Sequence, residues 1–270
     1  MQLRADKVKR ILTIAGSDPS GGAGIQADLK TIAALGAYGM SVITAVTAQN
    51  TRGVQAIHGI PPEFVGRQID SVLDDIGADA VKTGMLAGPE TVRVVAEKMQ
   101  ARQMGNLVVD PVLSAKDGAA LIWESARSVL LSMLIPLATV VTPNIPEAEY
   151  LAGFRIASPD GMKQAAEAIH RLGAKNVVIK GGHAPGDPVD VLFDGTHFYE
   201  FRSKRLETNN SHGTGCTFAS AVAVGLAENL SVYDAVERAK RFVFAAIEAG
   251  FRIGQGHGPV NPMIWKTLQK

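Results

Sequence analysis

Only one cysteine, Cys216, occurs in the 270 residues, which excludes an intrachain disulfide and a zinc site built from several thiolates. Aromatic side chains are scarce at 6%. Neither sign of charge dominates: 27 Lys+Arg stand against 26 Asp+Glu, and a net charge of +1 gives no electrostatic footprint for nucleic acid. No apolar run approaches the ~20 residues of a membrane span. The stretch Ile11–Ala15, behind a charged opening, is too short for the apolar part of a secretory signal. There is no G-x-x-x-x-G-K-[ST] phosphate loop, no internal repeat and no low-complexity tract. These absences predict a soluble, cytoplasmic enzyme or small-molecule binder, with no nucleic-acid or membrane partner.

What is abundant is glycine, 28 residues, set between short β-branched runs and longer helical patterns. Val8–Ile14, Ser41–Thr47, Ala80–Lys82, Asn106–Val109, Ala138–Val141 and Asn176–Lys180 read as buried strands. Ala23–Leu35, Pro62–Asp75, Pro89–Arg102, Ser125–Leu134 and Pro159–Leu172 read as helices, three of them with proline where a first turn begins. Val189–Phe193 and His197–Phe201 read as a hairpin around Asp194-Gly195, followed by helices Thr217–Asn229 and Tyr233–Glu248. Such alternation predicts one α/β domain over residues 1–270, its central, mostly parallel sheet carrying helices on both faces. Ligands of parallel sheets sit beyond the carboxyl ends of the strands. The segments there are GSDPSGGAG, AQNTRG, KTGML, DPV, TPNIPE and KGGH, all polar or glycine-rich.

Ser211-His212-Gly213-Thr214-Gly215-Cys216 opens a helix of small residues. Its glycines let backbone N–H groups turn inward at a helix N-terminus, a setting for a transferring phosphoryl group. The same field should favour a Cys216 thiolate; the bland alternative is a structural cysteine after a glycine turn. Gly22-Ala23-Gly24-Ile25-Gln26-Ala27 fits a dinucleotide fingerprint, but no acidic residue follows the second strand, which runs into Ala48-Gln49-Asn50. A Cys216–His212 protease pair lacks a third group. Asn144 and Glu147, three apart, suit either a hydrated magnesium ion or a helix cap. Lys180-Gly181-Gly182-His183 can meet a nucleotide phosphate or merely turn the chain. Asp110 is a strand-end carboxylate for metal or turn. Gln49 offers a donor and an acceptor for a ring edge, or serves the backbone. Met85 reads as core.

Together and in this order, GSDPSGGAGIQADLKTIAALGAYGMSVITAVTAQNTRGVQ, KTGML, VVDPV, TPNIPEAEYL, VIKGGH and SHGTGCTFASA resemble the hydroxymethylpyrimidine/phosphomethylpyrimidine kinases of thiamine biosynthesis. The likeness runs from Val8 to the closing GHGPVNP. It implies the ribokinase-like fold, a homodimer, ATP with Mg2+, and two phosphorylations: of hydroxymethylpyrimidine and of its monophosphate. It also implies a pyrimidine pocket of Gln49, Gly16, Asp28 and Met85. Asn144 and Glu147 would serve the magnesium–nucleotide motif, and Lys180, Gly181, Gly182, His183 and Lys240 the nucleotide, while Asp110 stays a candidate metal carboxylate on its own reading. Gly213, Thr214 and Gly215 would form an anion hole, with Cys216 as base. Cysteine there, in place of the aspartate of sugar kinases, also resembles a group of bacterial pyridoxal kinases, which stand as the alternative.

Overall fold

The computed structural model describes residues 8–113 and 125–265. Along the chain run β1 (Arg10–Ser17), α1 (Gly24–Ala34), β2 (Tyr38–Asn50), β3 (Gly53–Gly59), α2 (Pro62–Asp75), β4 (Ala80–Thr83), α3 (Pro89–Ala101) and β5 (Leu107–Val109). Then come α4 (Ala126–Val129), β6 (Val140–Val141), α5 (Ile145–Ala152), α6 (Pro159–His170), β7 (Asn176–Ile179), β8 (Val189–Phe193), β9 (Phe198–Arg202), α7 (Thr214–Ala227) and α8 (Val232–Glu248). The strands form one nine-stranded sheet in the order β3-β2-β1-β4-β5-β6-β7-β8-β9. Strands β2, β1, β4, β5, β6 and β7 are parallel, while β3 at one edge and β8 and β9 at the other pair antiparallel.

The two-residue period of the strands sorts their side chains into two cores. Leu12, Ile14, Val81, Leu107, Val109, Val141, Val177 and Ile179 join the core beneath α2, α3, α5 and α6. Ile11, Ala80, Val108, Val140 and Val178 join the other, which α7 and α8 cover. Every residue from Thr217 to Ala227 is buried, so α7 is a helix of the interior. Among the described residues, no helix is long and apolar enough to cross a membrane.

Proline stands in the first turn of α2, α3 and α6, as the sequence predicts. Side-chain caps close α5, α6 and α8, through Asn144, Ser158 and Ser231. By contrast α1 and α7 start at Ala23 and Gly213 with no side-chain cap, and both starts face the carboxyl edge of the sheet.

Several expectations need correction. β3 is absent from the sequence reading because it is largely exposed and shows no buried face. β2 runs on to Asn50 since its end pairs with β3, which places Gln49 opposite Val54 inside a strand. β1 extends to Ser17, three residues beyond the expected end. The helix expected over Ser125–Leu134 is one α turn that widens to a π turn over Leu130–Leu134 and tightens over Ile135–Leu137. Pro136, without an N–H, cannot continue a regular ladder there. α7 begins three residues earlier than expected, at Thr214. Lys180 lies outside β7 and leads into a 3-10 turn, Gly181–His183.

Candidate active site

The loop from β1 to α1 is shaped by Asp18, which is almost wholly buried. Its two oxygens accept the N–H groups of Ser20 and Ala23, both at 2.8 Å. One of them also lies 2.8 Å from His212 Nε2. Burial alone would raise this carboxyl, but the bonds from His212, Ser20 and Ala23 outweigh it and hold it at about 2. The pair ties the first glycine loop to the second, 194 positions further on.

The two loops interlock at backbone distance. A Cβ on Gly213 would lie 1.8 Å from the Gly22 carbonyl oxygen, and Gly213 holds φ +83. Only glycine fits, because the left-handed conformation and the close approach each exclude a side chain. Gly22-Ala23-Gly24 is therefore half of this contact and no dinucleotide fingerprint. The interlock sets Cys216, third residue of α7, facing the start of α1, and the Gly24 N–H donates to its sulfur. The residue remains partly exposed.

The expectation of a field-favoured thiolate needs correction. Burial pushes the Cys216 thiol up to about 11; Lys82 and the Gly24 N–H pull it down, while Asp28 and Asp110 push it further up. Desolvation wins over the helix starts.

Beside the nest, Lys180 Nζ lies 2.8 Å from Asp110 Oδ1, which also accepts Thr142 Oγ1 at 3.1 Å. A Cβ on Gly215 would meet that same ammonium at 3.3 Å, so the glycine brings the α7 start against the lysine. Burial works against the Lys180 charge, but Asp110 and Glu147 together hold it above its ordinary value. Asn144 and Glu147 make a reciprocal capping box: Glu147 N–H donates to Asn144 Oδ1 at 2.9 Å, and Asn144 N–H to Glu147 Oε2 at 2.7 Å. Burial, opposed by Lys180 and reinforced by Asp110, pushes the Glu147 carboxyl up to about 7. Gly181 N–H donates to Asp190 Oδ1 at 2.8 Å, and Lys240 reaches the other oxygen at 2.9 Å. Lys240 thus belongs to the neighbourhood of the Lys180–His183 turn. Arg205 binds the carbonyls of Gly182, Ala184 and Gly186 and fixes the loop that follows.

At the other end of the cleft, Gln49 Nε2 sits 3.4 Å from His212 Nε2, and its Oε1 lies 3.2 Å from Thr47 Oγ1. Met85 is buried; its sulfur would be 3.0 Å from a Cβ on Gly16, so the two are neighbours. Asp28 differs from the other pocket candidates. It is fully buried and its carboxylate is consumed by Lys82 Nζ at 2.9 and 3.0 Å, Thr13 Oγ1 at 2.6 Å and Ser220 Oγ at 2.8 Å. It lies under the site. Lys82 opens the KTGML segment, but the sequence alone gives it no role. Its signal was a lysine inside an otherwise apolar strand, which demands a buried partner. His212 and Asp18 were visible as motif residues, but their pairing spans nearly the whole chain.

The glycine-rich start of α7, Gln49 beside His212 and the Lys180–Asp110 pair come together on a ribokinase-like fold, and the comparisons with known proteins make the chain a kinase of that fold. Bacillus subtilis pyridoxal kinase, in its ADP complex, superposes with a TM-score of 0.89 at 38% identity, covering 97% of this chain and 100% of that one. Phosphomethylpyrimidine kinase from Clostridium difficile 630 gives a TM-score of 0.80 at 44% identity, over 88% of this chain and 99% of that one. The sequence profile of phosphomethylpyrimidine kinase matches residues 18–261. The hydroxymethylpyrimidine/phosphomethylpyrimidine kinase of Bacillus subtilis is 47% identical over 96% of each chain. The thiamine biosynthesis bifunctional protein ThiED of Geobacter sulfurreducens is 56% identical over 94% of this chain, which spans about half, 52%, of that protein. The chain belongs to the phosphomethylpyrimidine kinase family.

Proposed function

We propose that this kinase transfers the γ-phosphoryl group of ATP to the hydroxymethyl group of 4-amino-5-hydroxymethyl-2-methylpyrimidine, then to the resulting monophosphate, within thiamine biosynthesis. The observation that carries the reading is Cys216 in the first turn of an uncapped helix whose start lies between Gln49, 3.4 Å from His212, and Lys180, 3.3 Å from a Cβ on Gly215. Gln49, turned toward His212, meets the ring edge. The N–H groups of Gly213, Thr214 and Gly215 hold the phosphoryl oxygens, and Lys180 adds a fixed positive charge. Phosphoryl transfer leaves a protein mostly positioning and electrostatics, and this cleft offers both. The acceptor hydroxyl gives its proton to the thiolate form of Cys216. The turn at Gly181–His183 and Lys240 border the nucleotide.

The donor set also fits a hydrated magnesium ion. Asp110 and Glu147 carry the carboxylate oxygens that would hold it, and the raised Glu147 carboxyl marks a place where added positive charge would be favourable. Asn144 is committed to its cap, so Asp110 and Glu147 would hold the ion through its waters. Bound with the nucleotide, the ion neutralises phosphate charge. Among the described residues, no three His, Cys, Asp or Glu side chains converge as direct ligands.

Pyridoxal kinase is the second reading, supported by the TM-scores of 0.89 and 0.87 to the Bacillus subtilis and Staphylococcus aureus enzymes. Isotope-labelled ATP incubated with hydroxymethylpyrimidine, with its monophosphate and with pyridoxal distinguishes the two. Label in both the pyrimidine monophosphate and the diphosphate is expected. Monophosphate alone, with pyridoxal preferred, would transfer the assignment.

A further inference from the structure

We propose that Lys82, held by Asp28, is a positioning residue that supplies the counter-charge beneath the Cys216 sulfur. It rests on the assignment of proton transfer to Cys216. The first observation is where the lysine sits. Lys82 is fully buried in the middle of the sheet, in register with Thr13 on the neighbouring strand. No substrate can touch it. Its ammonium spends its bonds on Asp28 of α1, whose carboxylate is completed by Thr13 of β1 and Ser220 of α7. Four elements converge on one ion pair.

The second observation is what lies above it. Ser220 and Cys216 are four residues apart on α7, so they share one face of the helix, one turn apart. The Ser220 hydroxyl donates to Asp28, and this fixes the Cys216 face over the pair. A Cβ on Gly84 would come within 2.7 Å of Lys82 Nζ, which shows how closely the backbone around the ammonium is fitted.

A dry ion pair is an improbable stabiliser. Replacing such pairs by packed apolar residues is often neutral or favourable, so its retention asks for another reason. The charges facing Cys216 are Lys82 from β4, Asp28 from α1, Asp110 after β5 and Lys180 after β7. Lys180 is committed to Asp110 and, further off, to Glu147. Of these two cations Lys82 is the one that pulls the Cys216 thiol down, and Asp28 keeps it charged and aimed. Burial alone would neutralise the lysine, but Asp28 and, more weakly, Cys216 and Asp110 hold it above its ordinary value.

The test uses the thiol itself. Because Cys216 is the only cysteine, iodoacetamide uptake by the folded protein reads one site whatever ring the enzyme phosphorylates. Lys82→Met should slow alkylation at pH 8 about tenfold, the change expected for one unit of thiol pKa. Asp28→Asn should speed it by a similar factor, because the ammonium then turns to the sulfur as its nearest anion. Two substitutions that break the same ion pair move the thiol in opposite directions. Equal slowing by both, or no change in either, would reduce the pair to a structural brace. Should Lys82→Met not fold, the double variant Lys82→Met/Asp28→Asn, with both charges removed, takes its place. Alkylation faster in Asp28→Asn than in the double variant supports the proposal, and equal or slower alkylation overturns it. A failed pyrimidine assay would leave all these readings intact.

Discussion

At the residue scale, Cys216 poses the sharpest chemical problem. Burial lifts its thiol to about 11, so only a small share is thiolate at neutral pH. If it is the base, the first phosphorylation must rise with pH. Below the thiol pKa, thiolate grows about tenfold per pH unit, and kcat/KM for hydroxymethylpyrimidine should follow that slope above neutrality. The second phosphorylation should stay flat. Its acceptor is a phosphate monoester with a second pKa of about 6, already ionised and in need of no base. Cys216→Ser should accordingly lower the first step by roughly 10²-fold or more and the second far less. Rates are measured separately, with the monophosphate supplied directly. A flat first-step profile together with a mild serine variant would remove the thiol from the chemistry.

Single residues were unevenly legible. Gln49, Lys180, Asn144 and Glu147 could be picked out because they sit in short polar stretches after apolar strands, and the Gly213–Cys216 run because its glycines open a helix of small residues. Asp28 could be picked out too, but not its burial: its partners Thr13, Lys82 and Ser220 come from three other segments. The Cys216 thiol departs from the sequence expectation for a related reason. Sequence shows the helix start that favours a thiolate, whereas desolvation depends on what the fold packs around it.

At the scale of elements, the uncapped starts of α1 and α7 and their glycine interlock matter most. Gly213→Ala must place a methyl group against the Gly22 carbonyl and hold a left-handed backbone, which alone costs about 1–2 kcal/mol. A drop in thermal midpoint is expected, with nucleotide and ring affinity both weakened, since the contact joins the two ends of the cleft. Gly36→Ala is the control: it has positive φ but open space around it, and should show only the backbone part. If the two variants behave alike in denaturation and binding, the interlock has no special weight. The strands of the parallel centre were readable from period and β-branching. β3 was not, because an exposed edge strand lacks a buried face, and neither was the break near Pro136, where α turn gives way to π turn.

At the scale of the whole molecule, pH couples site and fold through Glu147. Its carboxyl titrates near 7 in the folded chain against 4.5 ordinarily, so the folded state holds a proton that the unfolded state has released. The sign follows: the stabilisation is complete below about 4.5 and disappears as pH rises through 7. Unfolding free energy should fall by on the order of 1–3 kcal/mol across that window, relative to Glu147→Gln. Denaturant titrations at several pH values check it; parallel curves for the two proteins would contradict it. Magnesium should flatten the wild-type curve, because a nearby cation favours the ionised carboxylate.

The Asp18–His212 contact has a consequence in time. During synthesis, residues 16–24 leave the ribosome long before residues 211–216, and most of the sheet can form in the interval. The first glycine loop should then wait, without its His212 partner, until α7 arrives. A contact 194 positions apart is strongly non-local, and such contacts slow folding. The nascent enzyme thus acquires its scaffold first and its competence last, in one closing event that joins the two ends of the chain.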